Sequence, residues 1–301
     1  MTIFQQYLAA VLALCAISGG VIAKEYNVAV RAHHGIDVAH QQWQSTINVL
    51  NESIPDHKFR LLPIISLDEI TRQAGQARFE FVLTNPSSFV ELEQLYGAKA
   101  MLTLKNKRAN TAQDRFGSVI FTHVRNEDII SFKDLKGKTL MAVSEPAFGG
   151  WRVAWMEMLE AEFDPYKDLK KLHFTKGKTQ PEVVWAVRDR KVDAGVVRTD
   201  RLERMETAGE IDMRYFRIIN NKDVKDFPFF LSTDLYPEWA FASMHGVPAD
   251  LFRRVQQVLL SVSAGSQAAT SGKYMGWVTP RDYRSVRHLM KKLQVGPYAS
   301  E

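Results

Sequence analysis

A single cysteine in 301 residues has no partner inside the chain, so a disulfide framework is excluded. No CxxC or Cys/His spacing occurs, which excludes a structural zinc. Beyond residue 23 no apolar run approaches the roughly 18 residues that a membrane-spanning helix needs. There is no Lys/Arg-rich block, and 39 basic against 34 acidic residues leave a net charge of only +5. That balance favours an anionic partner weakly and gives no support to nucleic-acid binding. What remains is ordinary: 46% hydrophobic residues, 17 glycines and 11 prolines, the composition of a globular chain long enough for two lobes, each with its own core.

Residues 1–23 differ from the rest. They carry no charged side chain, hold an apolar stretch from Tyr7 to Ile22, and end Val21-Ile22-Ala23 before Lys24-Glu25. Small residues at that junction behind an apolar stretch predict a secretory signal peptide. An uncleaved N-terminal membrane anchor is the alternative, and either predicts export to the periplasm. Cleavage would remove Cys15.

From Lys24 the pattern is strand, loop, helix, repeated. Tyr26–Val30, Phe59–Ile65 and Phe79–Leu83 read as strands, with helices over Ala39–Asn51, Leu67–Gly75 and Ser87–Tyr96. A second unit follows, with strands at Gly117–Thr122, Thr139–Val143, Leu172–Phe174 and Ala194–Val197. Its helices run over Arg152–Phe163 and Pro181–Arg190. Trp239–Met244 reads as a returning strand, and Leu251–Ala264, Gly272–Gly276 and Ser285–Leu293 as closing helical or loop elements. The expected fold is α/β and two-lobed, each lobe a mostly parallel sheet flanked by helices. The first lobe would comprise 24–122 and 233–301, and the second 123–232. Two crossovers would leave a cleft between lobes that hinge.

Three strand ends point toward that cleft. Thr84-Asn85-Pro86-Ser87-Ser88 passes directly from strand to helix, so Asn85, Ser87 and Ser88 either present a helix N-terminus to an anion or simply cap the helix. Ser144-Glu145-Pro146-Ala147-Phe148-Gly149-Gly150-Trp151 repeats the arrangement in the second unit. Gly149 and Gly150 allow close backbone approach, and Phe148 and Trp151 are either cleft walls or core. At Arg198-Thr199-Asp200 the arginine suits a bidentate contact to an oxyanion, or pairs with Asp200 or Glu203. His33 and His34 follow the first strand. Adjacent rings cannot both reach one metal comfortably, so no metal or other cofactor is expected. They either hydrogen-bond a ligand or lie in solvent. Catalysis finds no support: GxSxG, HExxH and Walker motifs are absent, and the carboxylate pairs Glu160/Glu162 and Asp189/Asp193 belong to charged helix ends. The chain is not expected to be an enzyme.

The order AHHG, FVLTNPSSF, FGSVIF, FKDLKGKTLMAVSEPAFGGW, AVRDRKVDAGVVRTDRLER and GWVTPRDYRSV resembles the periplasmic phosphonate-binding (PhnD-like) branch of type II solute-binding proteins. More narrowly, it is similar to the PhnD-like input domains of tetrathionate-type sensor histidine kinases. The resemblance runs from about Tyr26 to Tyr298. It implies a Venus-flytrap fold binding an oxyanion between lobes, phosphonate- or phosphate-like or a sulfur oxyanion. The implied partner is an ABC permease or, alternatively, a separate sensor kinase to which the chain is a sensory input subunit. A monomer is expected, and the end at Glu301 reads as that of a stand-alone receptor. Two positions depart from the family pattern. Pro146–Gly150 lacks the hydroxyls of a phosphonate loop, and His34 stands where sensor relatives often carry arginine.

Overall fold

The computed structural model describes residues 24–299; the leader or anchor expected over 1–23 lies outside them. In chain order the elements begin β1 (Lys24–Arg31), α1 (Ile36–Ser53), β2 (His57–Ile64), α2 (Leu67–Gly75), β3 (Phe81–Thr84), α3 (Pro86–Tyr96), β4 (Lys99–Arg108) and β5 (Thr111–Gln113). Next come β6 (Arg115–Phe116), β7 (Ser118–His123), β8 (Thr139–Ala142), a π-helical turn over Phe148–Arg152, α4 (Val153–Glu160) and α5 (Pro165–Asp168). Then follow β9 (Lys171–Phe174), α6 (Gln180–Arg188), β10 (Ala194–Arg198), α7 (Arg201–Thr207) and β11 (Phe216–Ile219). The chain returns through β12 (Tyr236–Pro237), β13 (Ala240–Ser243), α8 (Ala249–Leu260), α9 (Gln267–Gly272), β14 (Tyr274–Val278) and α10 (Arg284–Lys292).

Local chemistry explains the boundaries near the cleft. Ser66 caps α2 by accepting from the Glu69 N–H at 2.9 Å, and Asn85 caps α3 by accepting from the Ser88 N–H at 2.9 Å. Pro86 fits the first turn of α3, where its missing N–H costs nothing, and Gly97 ends the helix in the left-handed region at φ 65°.

The first sheet runs β14-β4-β13-β3-β1-β2, with β5 paired to β4; the second runs β11-β7-β10-β8-β9. Each holds three mutually parallel strands, β2, β1 and β3 or β9, β8 and β10. Next to the third lies an antiparallel strand that has just arrived from the other lobe, β13 or β7. The sheets are therefore mixed rather than mostly parallel, because a strand entering from a crossover starts at the edge where the parallel strands end. The crossovers pair as β6 with β12, Phe116 opposite Tyr236 and Arg115 opposite Pro237. All of β7 lies in the second sheet, so a division at 122/123 passes through a strand; the change of sheet falls ahead of Ser118.

Several strands differ from expectation, among them β11, which pairs with β7 and falls in a stretch where no element was expected. β4 was not foreseen, since its second half, Lys105-Asn106-Lys107-Arg108, reads as a polar loop. β14 occupies the region expected to be helix or loop around Gly276.

The first lobe buries both faces of its sheet. Trp43, Ile47 and Leu50 of α1 pack over one face with Leu251, Val255 and Leu259 of α8. Phe89 of α3 and Val286, Leu289 and Met290 of α10 cover the other. That second cluster continues across the lobe boundary into Phe116, Tyr236, Phe148, Val153 and Met156. Phe148 meets the edges of Phe116 and Tyr236 at 5.9 and 5.4 Å, so an apolar seam joins the lobes beside the crossovers. Among the described residues no helix is long and apolar enough to cross a membrane.

Candidate functional site

In the first sheet Thr84, the last residue of β3, is level with Ala240, which follows the β12 crossover directly. In the second, Arg198, the last residue of β10, is level with Ser118, which follows the β6 crossover directly. Both crossovers thus join the sheets at the carboxyl edges of their parallel strands. The loops after β1, β3, β8 and β10 come together between the lobes, where an open α/β sheet binds ligands.

On the first-lobe side, Asn85 accepts from both the Ser88 N–H and, at 3.0 Å, the Ser87 hydroxyl, so capping is its observed role. The Ser88 and Thr84 hydroxyls are buried without a hydrogen-bond partner. They lie at the end of β3 and the start of α3, whose first-turn N–H groups and dipole favour an anion.

On the second-lobe side the Phe148–Arg152 turn behaves differently from expectation. Trp151 is fully buried in the second-lobe core. It stacks on Trp155, with centroids 6.1 Å apart, and donates its indole N–H to the Tyr166 hydroxyl at 3.3 Å. It does not wall the cleft. The two glycines serve close packing. A Cβ on Gly149 would stand 2.6 Å from the Phe116 ring, and one on Gly150 would stand 2.7 Å from Val143. The Gly149 carbonyl accepts from the Ser118 hydroxyl at 2.8 Å, and Ser144 closes a turn by accepting the Ala147 N–H at 3.0 Å.

The turn ends in Arg152, whose neighbours include Glu91 of α3 and Asp68 of α2 in the first lobe. Its Nε is buried without a partner, as is Nη1 of Arg31 at the end of β1. Burial depresses both guanidinium pKa values, and the Asp68 carboxylate opposes that shift in each. Glu91 and Glu145 also face Arg152. Neither arginine was singled out from sequence. The available signal was position: Arg31 ends the strand leading to His33, and Arg152 directly follows FGGW.

Arg198 is engaged by a partner that sequence did not suggest. It pairs with Glu238, a fully buried carboxylate on the second crossover, and not with Asp200 or Glu203. Its guanidinium lies 3.9 Å over the Phe116 ring. Glu238 also accepts from Asn106 of β4 at 3.1 Å. Thr199 accepts the Gly117 N–H at 3.3 Å, which ties β10 to the first crossover. Asp200, at φ 74°, is buried and forms ion pairs with Arg108 at 3.4 Å and Arg204 at 2.8 Å. Arg108, Arg198, Thr199 and Asp200 line a narrow crevice closed by Phe116, Phe227 and Phe229.

Nε atoms of Arg108, Arg198 and Arg201 are also buried without hydrogen-bond partners. Burial pulls Arg108 and Arg201 down to about 10, helped by neighbouring arginines. His33 and His34 sit beside this group with ring centroids 4.0 Å apart, and His33 leans on Trp239 at 5.5 Å. Burial first, then His34, Arg31 and Arg108, hold His33 down to about 4, although solvent still reaches part of the ring. Burial and Arg201, Lys273 and Arg204 lower His34. The histidines are therefore neutral near pH 7, and the cleft's positive field comes from arginine.

Two lobes built on matching sheets, joined by paired crossovers and meeting at a cation-rich cleft, define a type II periplasmic binding fold. The sequence model for "ABC transporter, phosphonate, periplasmic substrate-binding protein" matches residues 32–283, and the chain belongs to that family. The tetrathionate sensor histidine kinase TtrS of Salmonella typhimurium is 29% identical over 291 residues, which is 96% of this chain and 47% of that protein. The chain thus spans about half the length of that relative. Among solved structures, XAC2383 from Xanthomonas citri bound to ATP shows a TM-score of 0.67 at 16% identity, over 89% of this chain and 95% of that one. PhnD1 from Prochlorococcus marinus, in complex with methylphosphonate, shows 0.66 at 14%, over 90% and 98%. These structures share the fold.

Proposed function

We propose that the chain captures a small oxyanion between its lobes in the periplasm. Arg31, Arg152, Thr84, Ser88 and the first turn of α3 would hold the ligand, while Arg108, Arg201, His33 and His34 shape the surrounding field. One observation carries this reading: guanidinium N–H groups of Arg31 and Arg152, one from each lobe, and the Thr84 and Ser88 hydroxyls are buried without partners, and both arginines come within reach of Asp68. Each such group costs on the order of 1–3 kcal/mol unless something accepts or donates to it, and an oxyanion would satisfy several together.

Two guanidiniums suit a dianion. The hydroxyl-free Pro146–Gly150 loop favours a sulfur oxyanion over a phosphonate, in line with the likeness to a tetrathionate sensor. Delivery to an ABC permease follows the family description. The second reading, a sensory input subunit acting on a separate kinase, is favoured by the match to TtrS along 96% of the chain. Neighbouring genes separate the two: permease and ATPase, or kinase and response regulator.

The test is calorimetric titration and thermal shift of the full chain against phosphate, methylphosphonate, sulfate, thiosulfate and tetrathionate. A ligand at a hundred times its dissociation constant adds about 2.7 kcal/mol and raises Tm by several degrees. A selective shift with a sulfur oxyanion supports the reading, and one with methylphosphonate moves the ligand class. No response to any anion overturns oxyanion capture.

A further inference from the structure

The far end of the second lobe carries a second, unrelated cluster of arginines. β7 starts at the crossover with Ser118 and ends at His123, about 17 Å away at roughly 3.4 Å per residue. At that end His123, Arg125 and Tyr215 meet Arg188, Asp189 and Arg190, which leave α6, around an open pocket of about 220 Å³. Asp189 is the one carboxylate lining it. It is already paired with Arg188 at 2.8 Å and Lys191 at 3.4 Å, so positive charge predominates.

The pocket is built, not incidental. Arg217 on β11 donates to the carbonyls of Asn126 at 3.1 Å and Ile129 at 3.3 Å, pinning the loop that presents Val124, Arg125 and Ile130. His123 is 6% exposed, and its Nδ1 accepts the Arg125 N–H at 3.1 Å, which leaves the ring proton on Nε2 as a donor. Burial, Arg190 and Arg125 all lower its pKa, so that tautomer persists at neutral pH. Beside these donors, Val124 and Tyr215 expose apolar surface, 38% and 50% respectively, and Ile130 on the same loop exposes 67%.

We infer that this pole of the second lobe is a docking surface for an acidic side chain on a partner protein, seated in the His123/Arg125/Arg188/Arg190 pocket and flanked by apolar contacts. Guanidinium forks match a carboxylate bidentately, and arginine, tyrosine and adjacent apolar surface are what protein interfaces use. A free inorganic anion would have no use for Val124, Tyr215 and Ile130. The pocket lies at the opposite edge of the sheet from the cleft, so the inference stands apart from the cleft's ligand.

The test uses the full chain and a fluorescent Glu-rich peptide bearing one leucine and one phenylalanine, followed by anisotropy at low and physiological salt. Arg125→Glu and Arg188→Glu should each weaken binding on the order of ten-fold and reduce its salt dependence. Lys99→Glu, an exposed charge reversal on the other lobe, should leave binding unchanged, as should saturating cleft anion. Arg188→Lys keeps the charge and controls for folding. Three results overturn the inference: no peptide binding by the wild-type chain, equal loss with Lys99→Glu, or binding only to phosphate or phosphatidylglycerol vesicles.

Discussion

The Arg198 guanidinium, at the end of β10, meets the fully buried Glu238 carboxylate on the second crossover while its flat face rests on Phe116 of the first. One side chain therefore clamps the second lobe to both chain segments that connect it to the first. With Asn106 donating to the same carboxylate, the clamp also reaches β4.

Breaking that pair leaves a charge buried without a partner. Arg198→Met should destabilise the chain by about 3–5 kcal/mol, and Glu238→Gln with Arg198→Met together by less than the sum of the single changes. Urea melts of the four-member set measure this. Additive losses would mean that the pair contributes no coupling.

Arg31→Ala and Arg152→Ala should each weaken the cleft's anion by about 1.5–3 kcal/mol while changing Tm of the ligand-free chain little, because both release a buried unpaired donor. Titration calorimetry reads the affinity. Unchanged affinity in both variants would remove them from the site.

Trp151→Ala should cost about 3–5 kcal/mol of stability through the cavity it leaves under Trp155 and Phe174. Any variant that remains folded should keep its anion affinity, since the ring sits in the core. A loss of affinity without a loss of stability would restore Trp151 to the cleft.

Acidification should destabilise the chain through His33. Its folded pKa of about 4 lies below its ordinary 6.5, so between those values the unfolded chain binds the extra proton. Stability therefore falls as pH drops from about 6.5 toward 4. His33→Gln should flatten that part of a Tm-against-pH curve. A bound anion should soften it too, by offsetting Arg31 and Arg108. An identical slope in wild type and variant would assign the dependence elsewhere.

Much of the scaffold was legible because its signals are local. Ser66 and Asn85 mark the starts of α2 and α3, and apolar runs mark β1, β3, β7 and β10. β4 and β14 were not legible, because Lys105–Arg108 is a polar run although it pairs with β14 and β5, and Gly276 interrupts β14 at φ 129°. Of the expected site residues, Asn85, Ser87, Ser88, His33, His34, Arg198, Thr199 and Asp200 stand at the strand ends that meet between the lobes. Trp151, Gly149 and Gly150 serve packing.

By itself the sequence determined the alternation of strands and helices, the capped helix at Asn85, and a family likeness strong enough to imply two lobes and a cleft. Only the tertiary structure decided the charges. Which arginine is matched depends on which carboxylate a crossover brings back from 40 residues away. Glu238 returns to occupy Arg198, while Arg31 and Arg152, on different lobes, both come within reach of Asp68 with a buried donor each still unpaired. Helix caps and apolar periodicity act over a few residues, but the pairing of buried charge is set by the path of the whole chain.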